Sequence, residues 1–207
     1  MDYAPVADVL TNPGNTAIGT RSFGSDASMV ADMVIKELEG LSSQGVFGAV
    51  KHFPGQGGVS GDSHDGAVTL DKSLEELMQT ELVPFQKALE NGVSFVMVGH
   101  ISVPQVVGDN TPASLSQMMV SNVLREQLGY QGIVITDAMN MGAVTGNYTA
   151  DQAAVMAVNA GVDMILMPQD YETAYNGLLQ AVQDGTITEE RIDESVERIV
   201  KVKLQMQ

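Results

Sequence analysis

GVFGAVKHFPGQGGVSGDSHDG, residues 45–66, holds the transition that decides the fold. Gly45 to Val50 is an apolar run without polar alternation, the pattern of a strand buried on both faces. Lys51 and His52 end the run, and a glycine-rich loop follows. A buried strand that delivers titratable groups to its carboxyl end and then opens into a loop is the working unit of parallel α/β proteins. The loop carries Asp62, Ser63, His64 and Asp65 in succession, and the stretch contains two of the three histidines in the chain. Packing gives little reason for such a density of titratable groups, so it reads as a catalytic loop.

The same unit recurs on both sides. Upstream, Tyr3 to Val9 reads as a short strand bounded by Asn12-Pro13-Gly14 and brings Asp8 to its end. A polar loop, NPGNTAIGTRSFGSD, carries Arg21, and Ser28 to Leu41 has a helical period with Met29, Met33, Val34 and Leu38 on one face. Downstream, Ser73 and Glu76 have capping-box spacing for a helix through Leu77, Leu82, Phe85 and Leu89, stopped by Asn91-Gly92. Val93 to Val98 is a buried strand followed by Gly99-His100. Ser116 opens an amphipathic helix with Met118, Val123, Leu124 and Leu128. Gly132 to Thr136 is another buried strand, with Asp137 at its tip. Ala153 to Asn159 is a short helix, and Asp163 to Met167 the fifth strand. Tyr171 to Asp184 and a helix capped by Thr188 complete the chain, the latter with Ile192, Val196, Ile199 and Val200 on its inner face.

Strands apolar on both faces alternate with helices, which predicts a parallel sheet covered by helices. Asp8, Lys51, His52, His100 and Asp137 gather at carboxyl ends of several strands, as in a TIM barrel; an open doubly wound sheet collects its ligand at one switch point. The expected fold is therefore α/β, of the (β/α)8 TIM-barrel type, with residues 1–207 as one domain.

Composition narrows the partners. A formal charge of -16, with only 10 Lys and Arg against 26 Asp and Glu, argues against a nucleic-acid partner. No run approaches the roughly 20 apolar residues of a membrane helix. The first residues lack the basic region and apolar stretch of a signal peptide, and the compartment is not legible from the sequence. With no cysteine there are neither disulfides nor thiolate metal sites. Most of the 13 methionines are expected to fill the core. The acids Glu189, Glu190, Asp193, Glu194 and Glu197 suit the amino end and solvated face of the last helix.

Three chemistries could use these residue types. Metal-assisted hydrolysis could recruit His52, Asp62, His64 and Asp137, although no His-x-His or HExxH spacing is present. GQGGVSG could cradle a phosphate, although no Lys-Ser/Thr follows it. Glycoside hydrolysis needs one carboxylate to attack the anomeric carbon and a second group to protonate the leaving oxygen. Composition and spacing leave the three open.

KHFPGQG (51–57), GDSH (61–64), VGHI (98–101) and ITDAMNM (135–141), preceded by APVADV (4–9) and IGTRSFG (18–24), resemble family 3 of the glycoside hydrolases, in its bacterial β-N-acetylglucosaminidase branch. The similarity runs over nearly the whole chain. Thr136-Asp137-Ala138 and Asp62-Ser63-His64 favour that branch over the β-glucosidases, which carry Ser-Asp-Trp at the nucleophile. The resemblance implies Asp137 as nucleophile, His64 as general acid/base and Asp62 as the residue orienting it. An imidazole with an ordinary pKa near 6.5 exchanges protons around neutral pH. Lys51, His52 and Arg21 would bind the sugar's hydroxyl and acetamido groups, and Asp8, His100 and Met139 belong with the substrate-binding set. The implied partner is an N-acetylglucosamine-containing saccharide from cell-wall muropeptides or chitin oligosaccharides, and the implied cofactor and metal content is none.

Two departures stand out. Position 56 is Gln where the branch usually shows His, an exchange expected to touch loop packing more than chemistry. Family members also have β/α units before the APVADV strand, whereas five strands are countable here and a closed barrel needs about eight. The expectation is an incomplete barrel, the carboxyl-terminal part of a catalytic domain. Such a piece could be a catalytically silent sugar-binding or interaction fragment, and phosphate could replace water as acceptor. The plainer readings are a satisfied loop histidine for His64, a helix cap for Asp137 and ordinary loop polarity for Arg21.

Overall fold

The computed structural model describes residues 1–205. Four strands form one parallel sheet in the order β1 (Ala49–Phe53), β3 (Phe95–Val98), β5 (Ile133–Ala138) and β6 (Met164–Leu166). Each sheet neighbour is the next large strand in sequence, with no reversal of order, so the sheet is an arc of a TIM-barrel-like fold and not a doubly wound sheet. Among the described residues it does not close on itself. A small parallel pair, β2 (Val68–Thr69) with β4 (Ile101–Ser102), lies outside it.

The predicted first strand is present only as isolated parallel bridges, Asp2 to Gly48 and Val6 to Lys51. Its backbone still bonds to β1, with the Ala7 N–H donating to the Lys51 carbonyl at 2.6 Å and the Lys51 N–H to the Pro5 carbonyl at 3.1 Å. Pro5 has no N–H to donate, which interrupts a regular ladder.

Helices α1 (Ala27–Ser42), α3 (Val83–Glu90), α6 (Ala150–Ala160) and α7 (Tyr171–Gln183) accompany the strands, and a wide-turn π-helix spans Met118–Gln127. Asp26 caps α1, and its buried side is Val30, Ala31, Val34 and Ile35. Met29 and Met33, expected on that side, are exposed, one residue out of phase with the stiff β-branched stripe. The single helix expected from Ser73 to Asn91 is two. The capping box at Ser73 starts α2 (Leu74–Gln79), and Pro84 sits at the start of α3. A proline there cannot continue a preceding helical turn. The break carries Glu81 inward, where it is fully buried and its carboxylate meets the Lys72 ammonium at 2.5 Å.

The last helix, α8 (Glu189–Gln205), buries part of the side its apolar residues suggest: Ile192 and Ile199 pack against the core, whereas Val196 and Val200 are exposed and Ser195 and Val202 are buried instead. Arg191, Ser195 and Arg198 follow a helical stripe to Asp163, and Val202 continues it onto Ala49, Phe95 and Ile133, the first residues of three strands. Thus α8 covers the amino ends of the sheet, and the opposite, carboxyl ends are left for a site. No helix among the described residues is long and apolar enough to cross a membrane.

Candidate active site

Four of the strand-end residues meet at the carboxyl edge. The register between β1 and β3 shifts between Val50 and Phe53. Irregularities of this kind re-aim side chains, and here Lys51 and His52, adjacent in sequence, both come under the influence of Asp137. The His52 Nε2 lies 3.8 Å from Asp137 Oδ2, and its Nδ1–H donates to Asp8 Oδ2 at 2.7 Å. Asp8 is completely buried, and its Oδ1 also accepts the backbone N–H groups of Gln56 at 2.6 Å and His52 at 3.3 Å. The structure therefore sets Asp8 behind His52, fixing its ring, instead of on a substrate-facing wall. Lys51 is half-buried. Desolvation and the Arg21 guanidinium lower its pKa, and the carboxylates of Asp137, Asp8 and Asp2 oppose that shift.

Asp137 is partly exposed at the end of β5, with the neighbouring Ala138 N–H donating to its Oδ1 at 2.8 Å. The strand end beneath it is held by His100, which is 1% exposed. His100 Nε2–H donates to the Ala138 carbonyl at 3.0 Å, so its Nδ1 accepts the Ser114 hydroxyl at 2.7 Å. That pairing belongs to a neutral ring. Burial pushes the His100 pKa below its ordinary value, while Asp137 and the Ala138 carbonyl pull the other way.

His100 gives a pH prediction. Its folded pKa is lowered, so between that value and about 6.5 the unfolded chain binds a proton that the folded chain refuses. The stability tied to it is complete above pH 6.5 and falls as pH drops toward the folded value, by at most about 1.4 kcal/mol per pH unit. An NMR titration should find the midpoint of this ring below that of an ordinary histidine. Protonation there with an ordinary midpoint would contradict the assigned hydrogen bonds.

The loop expected to be catalytic arches over this edge. Asp62 Oδ1 accepts both the His64 backbone N–H at 2.9 Å and the ring Nδ1–H at 2.7 Å. The backbone bond first and the ring bond second hold the Asp62 carboxyl below the usual carboxylate range. His64 is exposed, and its charge and that of Asp137 both act on the His100 ring. The tip is docked on α5 (Gly142–Thr145), which follows the Asp137 turn: the Gly142 N–H donates to the His64 carbonyl at 3.0 Å and the Ala143 N–H to the Ser63 carbonyl at 3.1 Å. A Cβ on Gly142 would lie 2.7 Å from the His64 carbonyl oxygen, so glycine is what lets the two segments touch. Gly57 does the same at the loop base, where a Cβ would fall 2.0 Å from the Val9 carbonyl oxygen.

Arg21 lies at the exposed end of a short 3₁₀ turn (Gly19–Arg21) and donates to the Ala17 carbonyl at 2.5 Å, with its charge felt by Lys51 and Asp62. Met139 is 3% exposed and packs in the main core, so the structure gives it a packing role where a substrate contact was expected. Among the described residues no three His, Asp or Glu side chains gather as ligands for one ion. Sequence reasoning missed Ser114 and Gly142 as supports, and it gave Gln56 a part in loop packing without its bonds to Asp8, Asn15 and Ser63.

The model of the glycosyl hydrolase family 3 N terminal domain matches residues 1–202. The chain is 37% identical over 211 residues to beta-hexosaminidase LpqI of Mycobacterium bovis, covering 98% of this chain and 54% of that protein. The solved β-N-acetylglucosaminidase of Paenibacillus sp. FPU-7 superposes with a TM-score of 0.96 at 40% identity, covering 99% of this chain and 39% of that one. The β-glucoside phosphorylase BglX does so with a TM-score of 0.94 at 29% identity, covering 99% and 38%. The chain thus spans about half or less of the length of the curated relatives it matches first. A match from the first residue to within a few of the last, on a parallel arc with its polar groups at the carboxyl edge, makes this chain a member of glycosyl hydrolase family 3, matching its N-terminal domain.

Proposed function

We propose that this chain carries the reaction centre of a retaining exo-β-N-acetylglucosaminidase, which removes terminal N-acetylglucosamine from cell-wall fragments or chitin oligosaccharides. Asp137 attacks the anomeric carbon as the bond to the leaving oxygen breaks, and that oxygen takes the Nε2 proton of His64. Water then attacks the glycosyl ester, returns a proton to His64 and frees the Asp137 carboxylate, so two inversions give net retention. An ionised Asp62 accepts the Nδ1–H and leaves Nε2 as the nitrogen that exchanges the proton. Lys51, His52 and Arg21 bind the hydroxyl and acetamido groups of the sugar.

The observation that supports this reading best is the meeting of a partly exposed carboxylate, a carboxylate-oriented imidazole on a docked loop and a Lys-His pair at one sheet edge. Hydrolysis of aryl N-acetyl-β-glucosaminides by a His64→Ala variant tests it. A general acid contributes about 10²–10⁴-fold, and that loss should fall on poor leaving groups, while a dinitrophenolate departs nearly unaided. Equal losses on both substrates would remove His64 from the role. Phosphate as acceptor is a second reading, favoured by the phosphorylase neighbour. A sugar 1-phosphate formed in phosphate buffer would decide for it.

A further inference from the structure

Gln56 is 4% exposed in a loop whose tip is largely open, and its backbone N–H, backbone carbonyl and side-chain Nε2 are each engaged. Its N–H donates to Asp8 Oδ1 at 2.6 Å, on the carboxylate that fixes the His52 ring. Its carbonyl accepts the Asn15 side-chain amide at 2.6 Å, and Asn15 is itself buried. Its own amide Nε2 donates to the Ser63 hydroxyl at 3.2 Å. Ser63 lies between Asp62 and His64 and is the one buried residue from 60 to 67. The backbone of Gln56 thus belongs to the rigid platform beside Asp137, while its side chain reaches the tip that carries the imidazole. A buried side chain fixed at both ends transmits position, because its rotamer is set by packing and by its partners.

We propose that Gln56 is a positioning residue that ties the Asp62–His64 tip to the Asp8–His52 platform and so sets the reach of His64 toward the sugar bound at Asp137. The bond acts together with the docking of the Ser63 and His64 carbonyls on α5. Without it the tip keeps only its two backbone bonds to that short helix. Its bearing on catalysis rests on the proposed role of His64, whereas the tether itself does not.

The test uses Gln56→Ala and Ser63→Ala, which remove the same bond from opposite sides; the serine change leaves almost no cavity. Hydrogen exchange of residues 61–66 is expected to accelerate about tenfold in either variant, the effect of deleting one buried hydrogen bond, with β3 and β5 unchanged. The double variant should be no faster than the singles. Unchanged exchange in Ser63→Ala would overturn the tether. Additive effects in the double variant would overturn it too. Kinetically, both variants should lose more turnover on a poor leaving group than on dinitrophenyl N-acetyl-β-glucosaminide. Faster exchange with equal losses on both substrates would support the tether while removing the acid role of His64, so the two readings fail separately.

Discussion

Asp137→Ala is expected to lose turnover by on the order of 10⁴- to 10⁶-fold, the range seen when a group acting in covalent catalysis is removed. That corresponds to about 5–8 kcal/mol of transition-state stabilisation. Nothing nearby could substitute. Asp8 is buried and committed to His52 and Gln56, and Asp62 is held by His64. The fold should tolerate the change, because Asp137 is partly exposed and its Oδ1 accepts only the N–H of the next residue. Melting curves should therefore nearly coincide while activity disappears. Sodium azide provides the sharper readout. A small anion entering the space of the deleted carboxylate should attack an activated β-glycoside from the α face and release the α-glycosyl azide. Full activity in the variant, or a β-azide, would disqualify Asp137. Lys51 should respond as well, because Asp137 is the strongest of the charges that oppose its lowered pKa. Its removal should depress that pKa further.

The strands were legible because parallel-sheet strands are apolar on both faces and carry an unambiguous run: Val93 to Val98 against Phe95–Val98, and Gly132 to Thr136 against Ile133–Ala138. The gathering of strand-end residues followed, since a barrel-type arc places strand ends together and Asp137, His52 and Lys51 stand at such ends. What stayed hidden depends on burial of polar groups, which hydropathy periods do not register. Asp8 reads as an exposed acid until His52 and Gln56 are seen on it. Glu81 turns inward because Pro84 breaks the helix, and one of its oxygens finds Lys72 while the other has no partner. Met139 stands two residues after Asp137 in sequence but in the core in space, because β5 ends at Ala138 and strand alternation no longer sets where its side chain goes. The inner side of α8 was read only in part for the same reason: Ile192 and Ile199 pack inward as expected, but the stripe beside them is built on arginine and serine where Val196 and Val200 were expected.

That stripe carries the largest expected effect on stability. The Asp163 side chain is fully buried just before β6; its Oδ2 accepts the Arg125 guanidinium at 2.5 Å and the Val134 N–H at 2.9 Å. Its Oδ1 accepts the Ser195 hydroxyl at 2.6 Å and the Arg198 guanidinium at 3.1 Å, with Arg191 at 3.9 Å. One carboxylate thus joins β5, β6, the π-helix and α8. Asp163→Ala would leave three poorly exposed guanidinium groups facing one another with only the exposed Glu194 carboxylate beside them, 4.0 Å from Arg191 and 3.8 Å from Arg198. Desolvation already lowers the pKa of Arg125 and Arg191, and Arg198 lowers both further. Removing one partner of a buried charge cluster costs about 3–5 kcal/mol, a large part of the 5–15 kcal/mol that typically holds a domain together. For a chain of this size the melting temperature should drop by on the order of 10 °C. Asp163→Asn, which keeps an acceptor but not the charge, should fall between. Salt should restore little, because buried pairs are weakly screened. Asp137 lies at the other end of β5, so an active variant should keep its leaving-group preference while it melts early. A shift of less than about 2 °C, below what even 1 kcal/mol produces in a domain of this size, would mean that Val202 and its apolar neighbours hold α8 alone.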